Sequence, residues 1–204
     1  MKKFVAPLDP AKMTRLLRDG VFALGAADIG LAESDTPPVW GIVMEWCQAE
    51  VVVSLVTLVD GSVSIYLSDG AGVIGCGLHS DVRAAAAKML RLAEPAMGCC
   101  APAGEQPLPG DDRVFFYLLT REGVLGGSAD RVELDEGAVD LAELYYAGHG
   151  VIGMVELLGA GVDLVDEMRL AEADTAPSTQ SPRTRGRGCR ILPYVGNAVR
   201  RSQH

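Results

Sequence analysis

Two short stretches hold the residue types that most often do chemistry. The first, SDGAGVIGCGLHSD, runs from Ser68 to Asp81; Gly70-Ala71-Gly72-Val73-Ile74-Gly75 spells G-x-G-x-x-G, and Cys76 stands three residues before His79. As a dinucleotide turn, Gly70, Gly72 and Gly75 would let a pyrophosphate approach, and Ser80 would open the helix whose free amides hold it. As a thiol site, Cys76 would be the nucleophile, with His79 beside it and a helix N-terminus to lower its pKa. The second stretch is YYAGHGVIG, where His149 could work with Glu156 as an acid–base pair.

The surroundings argue against each reading. A dinucleotide turn starts its helix inside the motif, yet the best cap, Ser80, lies five residues past Gly75. About 20 residues further on, where an acid should hold the ribose, Glu94-Pro95 stands at a helix end. The loop lacks the Gly-Lys-Ser/Thr of a P-loop, and Asp69 and Asp81 flank it with the wrong charge for phosphate. The glycines therefore read as a corner, and no cofactor is expected. Cys76 has no third group to orient a base, and a small cysteine in such a loop is more commonly buried packing. Cys76, His79, Cys99 and Cys100 can be written as a zinc set. Adjacent cysteines chelate awkwardly, however, and no C-x-x-C pair is present, so no metal is expected. His149 reads as a half-covered boundary residue. A G-x-S-x-G elbow is missing, and the acid pairs Asp111-Asp112, Asp135-Glu136 and Asp166-Glu167 have no calcium-loop spacing.

The elements that must carry these residues follow from periodicity. Asp9-Pro10 caps a first helix with an apolar stripe of Met13, Leu16 and Leu17. From Val39 the period becomes two, placing Trp40, Ile42, Met44 and Trp46 on one strand face and Val39, Gly41, Val43 and Glu45 on the other. Val51 to Val59 is apolar on both faces, as in a covered strand. Asp60-Gly61 predicts a hairpin into a half-exposed strand around Val63, Ile65 and Leu67. A helix follows from about Ser80 to Ala93, with Val82, Ala85, Ala86, Met89 and Ala93 as its inner face. A fourth strand, Arg113 to Thr120, and a glycine-interrupted fifth around Val124 to Leu134 lead to a last long helix and a short amphipathic piece, Val162 to Leu170.

This order of helix, three strands, helix, two strands, helix predicts an α+β fold. It has a single antiparallel sheet of about five strands, with helices packed mainly on one face. The order and sizes are similar, at the level of fold, to profilin-like and roadblock-like modules. The domain is expected over residues 1–170, with a disordered Arg-rich tail over 171–204 whose "TAPSTQSPRTRGRG" is poor in core-forming residues.

Composition bounds the function. The 49% hydrophobic content fills a core, and with aromatics at only 5% the filling is mostly aliphatic. The longest apolar run is too short to span a membrane, and MKKFVAPLDP lacks the apolar stretch of a secretory signal. Five cysteines in no framework spacing suit a reducing, cytoplasmic setting. Net charge is −13 over residues 1–170 and +4 over 171–204, so the body repels polyanions and only the tail could attract nucleic acid. The expectation is a non-enzymatic module working through protein–protein association, self-association included. Trp40, Trp46, Tyr145 and Tyr146 are its interface candidates. The alternative is a ligand sensor or thiol enzyme built on the Gly70–His79 loop.

Overall fold

Turn chemistry and alternation set the strands of the computed structural model, which describes residues 9–173 and the pair 190–191, with side chains from 9 to 159. Strands β1 (Val39–Gln48), β2 (Val51–Leu58) and β3 (Val63–Leu67) form the expected antiparallel meander. Asp60-Gly61 makes the second turn, with Gly61 at φ 89° and the Asp60 carboxylate accepting from the Ser62 amide at 2.8 Å. The first turn is Ala49-Glu50, both residues at positive φ (51° and 67°). That is the two-residue geometry matching strand twist, reached here without glycine or asparagine.

Beyond the meander, β6 (Arg113–Thr120) and β7 (Gly123–Asp130) pair with each other, and β6 adds to the free side of β1. Two short strands missed by periodicity extend the sheet to seven strands between Val39 and Asp130, not five. These are β4 (Gly72–Ile74), inside the glycine loop, and β5 (Ala101–Pro102). An eighth, the two-residue β8 (Arg190–Ile191), pairs with β4. The order is β5-β7-β6-β1-β2-β3-β4-β8, and every pairing among the described residues is antiparallel. Strands of two or three residues carry no readable period; neighbours create them.

Helices cover both faces, a correction to the expectation of one principal face. Helix α2 (Ser80–Ala96) and the long α4 (Ala142–Ala173) pack on each other over Ile42, Met44, Trp46, Leu55, Val63, Phe116 and Leu118. Helix α1 (Pro10–Phe22) lies with its following loop on the opposite face, over Trp40, Val43, Val56, Leu58, Tyr66, Tyr117 and Leu119. A fourth, short helix, α3 (Arg131–Asp135), is capped by Asp130 and links β7 to α4. The piece expected separately over Val162 to Leu170 is continuous backbone of α4. Of the tail expected over 171–204, residues 171–173 continue this helix and 190–191 form β8; the rest lies outside the described residues.

The alternation of β1 is broken at one point. Val39 pairs with Thr120 and Gly41 with Leu119, so Trp40 is the extra residue of a bulge. The extra residue turns Trp40 toward α1, whereas Ile42, Met44 and Trp46 face α2 and α4. The two tryptophans thus lie on opposite faces, not on one.

Helix α1 starts as its signal foretold, Asp9 accepting from the Ala11 amide at 3.2 Å with proline at the first position. It is rotated relative to its apolar stripe. Thr14 and Val21 are buried, and Met13 and Leu16 are 40% and 51% exposed. The β1–β2 turn offers a direct check on the strain of left-handed side-chain-bearing residues. Glu50→Gly should raise unfolding free energy by about 1 kcal/mol, read as a shift in the urea midpoint without a change in m-value.

Candidate functional site

In the glycine loop, the structure fills with protein the space at Gly70, Gly72 and Gly77. A Cβ on Gly70 would meet the Pro10 Cβ at 2.3 Å, and one on Gly77 would meet the Gly61 carbonyl oxygen at 1.7 Å. The loop is thus wedged between the start of α1 and the β2–β3 turn. Gly72 lies in β4, antiparallel to β3. A 3-10 turn (Cys76–Leu78) and His79 then precede Ser80, where α2 begins. A dinucleotide turn runs from a strand straight into a helix inside a parallel unit. Here a hairpin and a 3-10 turn intervene, and β3 runs opposite to β6. Gly70 and Gly72 serve close backbone packing, Gly75 takes a left-handed φ of 82° in open space, and the Ser80 hydroxyl lies 3.4 Å from Asp81 Oδ1.

Cys76 is 1% exposed within the core that α2 covers. A thiol at that depth is screened from any substrate. The other thiols are pushed away from nucleophilicity. Burial, then the charge of Asp140 3.7 Å away, raises Cys99, and burial followed by Cys99 pushes Cys100 up to about 11. Cys76 precedes α2 and Cys99 follows it, so a 17-residue helix, about 25 Å long, separates Cys76 and His79 from the other half of the zinc set. Among the described residues no three His, Cys, Asp or Glu side chains are grouped to hold a metal.

His149 has the most unusual surroundings. Its ring sits 4.4 Å from the Tyr145 ring, edge to face, and 5.3 Å from the Trp46 ring. Its Nε2 is buried without a hydrogen-bond partner. Tyr145 donates to Asp135 Oδ1 at 2.9 Å, and Tyr146 donates to the Asp135 carbonyl at 2.8 Å. Burial, then Asp135, pushes Tyr145 up to about 12. Burial pulls His149 below the ordinary 6.5, against smaller opposing effects of Asp135 and Glu156. Glu156 is exposed and acts on His149 through charge. The group is an imidazole wedged among aromatic rings, where burial favours its neutral form.

Of the interface candidates, Trp40 and Trp46 are 3% and 6% exposed, and Tyr145 is buried beside His149. Only Tyr146, on α4, faces solvent. The tryptophans are core residues because α1 covers one face of β1 while α2 and α4 cover the other.

The strongest polar constellation was not foreseen. Glu45, in the middle of β1, has no exposed surface and takes Arg18 in a fork: Nε to Oε1 at 2.6 Å and Nη2 to Oε2 at 2.7 Å. Ser54 on β2 also donates to Oε1, and Arg18 Nη2 donates to the Gln106 carbonyl at 2.7 Å. The guanidinium lies 5.0 Å from the Phe22 ring centroid. Burial opposes the Arg18 charge, but the hydrogen bond and charge of Glu45 outweigh it and hold its pKa above the ordinary value. A cleft of about 40 Å³ beside the pair, lined by Thr14, Arg15, Ser54, Tyr66 and Ser68, is the size of one or two water molecules. The signal available in sequence was Glu45 itself, a charge in a strand otherwise apolar on that face, which demands a partner.

Two outcomes follow from these groups. Arg18→Leu, which strands Glu45, should cost about 3–5 kcal/mol, while Arg18→Leu with Glu45→Leu should recover most of it, measured by urea unfolding. For His149 the folded pKa lies below the unfolded one, so its contribution is complete above about 6.5 and is lost as pH falls through the folded value. His149→Phe, which keeps the ring contacts, should flatten the loss of stability as pH falls below about 6.5.

Among the described residues no helix is long and apolar enough to cross a membrane. No family model, no curated protein and no solved structure matches the chain.

Proposed function

We propose that the chain is a non-enzymatic α+β module of a reducing, cytoplasmic setting that works by protein association, and that it pairs with a second copy of itself through the outer face of α4. The observation that carries this reading is the character of that face. From Tyr146 along the helix to Leu157, the exposed positions are Tyr146, Gly150, Met154, Glu156 and Leu157, the large apolar ones at 50%, 38% and 67% exposure. No Asp, Glu, Lys or Arg occurs between Glu143 and Glu156. Soluble helix surfaces are ordinarily studded with charge, and contiguous apolar exposure marks contact surface.

Three glycines sharpen the point. Gly148 on the inner side is needed, since its Cβ would meet Met44 Sδ at 2.6 Å. Gly150 and Gly153 have nothing within 4 Å of a Cβ, so within one copy they only weaken the helix, by about 1 kcal/mol each relative to alanine. Small residues between Tyr146 and Leu157 let a second helix come close. The thiols Cys47, Cys99 and Cys100, in no disulfide among the described residues, accord with a reducing compartment. A burial-screened Cys76 and an imidazole whose Nε2 has no polar partner favour the module over the thiol enzyme.

Sedimentation equilibrium tests the reading. The wild-type chain should dimerise, and Leu157→Arg should weaken the dimer at least about a hundredfold, as for a central contact residue. Gly153→Ala should separate the two roles of the position, raising helix stability by about 1 kcal/mol while weakening association. A wild-type chain that stays monomeric at millimolar concentration would remove self-association from the proposal.

A further inference from the structure

The two ends of the sheet are closed in different ways. At one end, β5 is two residues long and contains Pro102, which has no amide hydrogen to offer a further strand. At the other end β4 is Gly72-Val73-Ile74, with no proline or charge to blunt it, and Ile74 is 37% exposed. By composition it is the edge on which a further strand can add, and β8 is what lies along it. Val73 pairs with Ile191 and Ile74 with Arg190, antiparallel.

We infer that the outer edge of β4 is a strand-acceptor site, and that its occupant is the chain's own segment around Arg190–Ile191, docked in cis. The reach is sufficient. The stretch 174–189, about 16 residues, separates the end of α4 from β8 and can span about 50 Å, against a radius of gyration of about 15 Å for a domain of this size. The charges agree as well, since residues 171–204 carry +4 and residues 1–170 carry −13. Backbone pairing supplies register, and the opposite net charges of segment and body favour the encounter. An extended segment of another protein gains this edge only by displacing the chain's own strand. The site is separate from the outer face of α4 and stands independently of the dimer.

Hydrogen exchange followed by NMR on the full chain tests this. Arg190→Pro removes the amide opposite Ile74 and disrupts the pairing, and should speed exchange of the outward-facing Ile74 amide about tenfold or more, with amides of β1, β2 and β6 unchanged. Ile191→Pro, whose lost amide points away from β4, should act less. A fluorescent peptide of residues 186–196 should bind the Arg190→Pro chain saturably and the wild-type chain at least about tenfold more weakly, the edge there being occupied. Unchanged Ile74 exchange in Arg190→Pro, or a peptide that binds both chains equally or neither, would overturn the site. β4 protection that rises with protein concentration would assign the strand to a second copy and overturn docking in cis. Leu157→Arg should leave β4 exchange as it is, which keeps this result distinct from failure of the dimer.

Discussion

A carboxylate at the centre of β1 with no exposed surface sets the terms for one whole face of the molecule. Glu45 cannot stay charged there without a cation and further donors, and Arg18 and Ser54 provide them. Because Arg18 belongs to α1, the pair fixes how that helix rolls on the sheet. Thr14 and Val21 turn inward with Arg18, and Met13 and Leu16 are left to solvent although both are more apolar than Thr14. The same guanidinium binds the Gln106 carbonyl and lies against Phe22, whose ring packs edge-on to Tyr117 at 5.1 Å. Tyr117 in turn donates to the Pro107 carbonyl at 2.8 Å. One ion pair thus gathers the helix, the loop before β6 and the second core.

The other face is organised by small residues. Gly148 lets α4 descend onto Met44, and Ala86 and Ala93 line the inner side of α2, buried with Met89 between them. With the backbones this close, the inner side of α4 is used up against the sheet and α2, and Trp46 and His149 meet in the remaining space. The apolar residues left over on the outer side have nothing among the described residues of the same copy to cover them. The glycine loop obeys the same steric logic, since its glycines admit neighbouring backbone where a nucleotide motif would admit phosphate.

Much of this architecture could be read in advance where the pattern is local. The Asp9-Pro10 cap, the Asp60-Gly61 turn, the inner face Val82, Ala86, Met89 and Ala93, and the strand Arg113–Thr120 all depend on residues within a few positions of each other. The start of α2 at Ser80, past the glycine loop, was also legible, because no cap residue stands inside Gly70–Gly75. What escaped was anything depending on a partner far along the chain. The strands at Gly72–Ile74 and Ala101–Pro102 exist because β3 and β7 offer them hydrogen bonds, and the bulge at Trp40 exists because β1 must register with both β2 and β6.

The sequence alone thus determined the kinds and order of the main elements, an antiparallel meander at their centre, and an acidic body followed by a basic segment. Period, cap and turn are properties of neighbouring residues and survive without knowledge of the fold. Tertiary structure alone decided that helices cover both faces, that Trp40 and Trp46 are core, that Glu45 is matched by Arg18 and that α4 keeps an apolar side which nothing among the described residues covers. Each of these is a competition for the same buried space among segments distant in sequence. Such competition is settled by packing and desolvation after the elements have met.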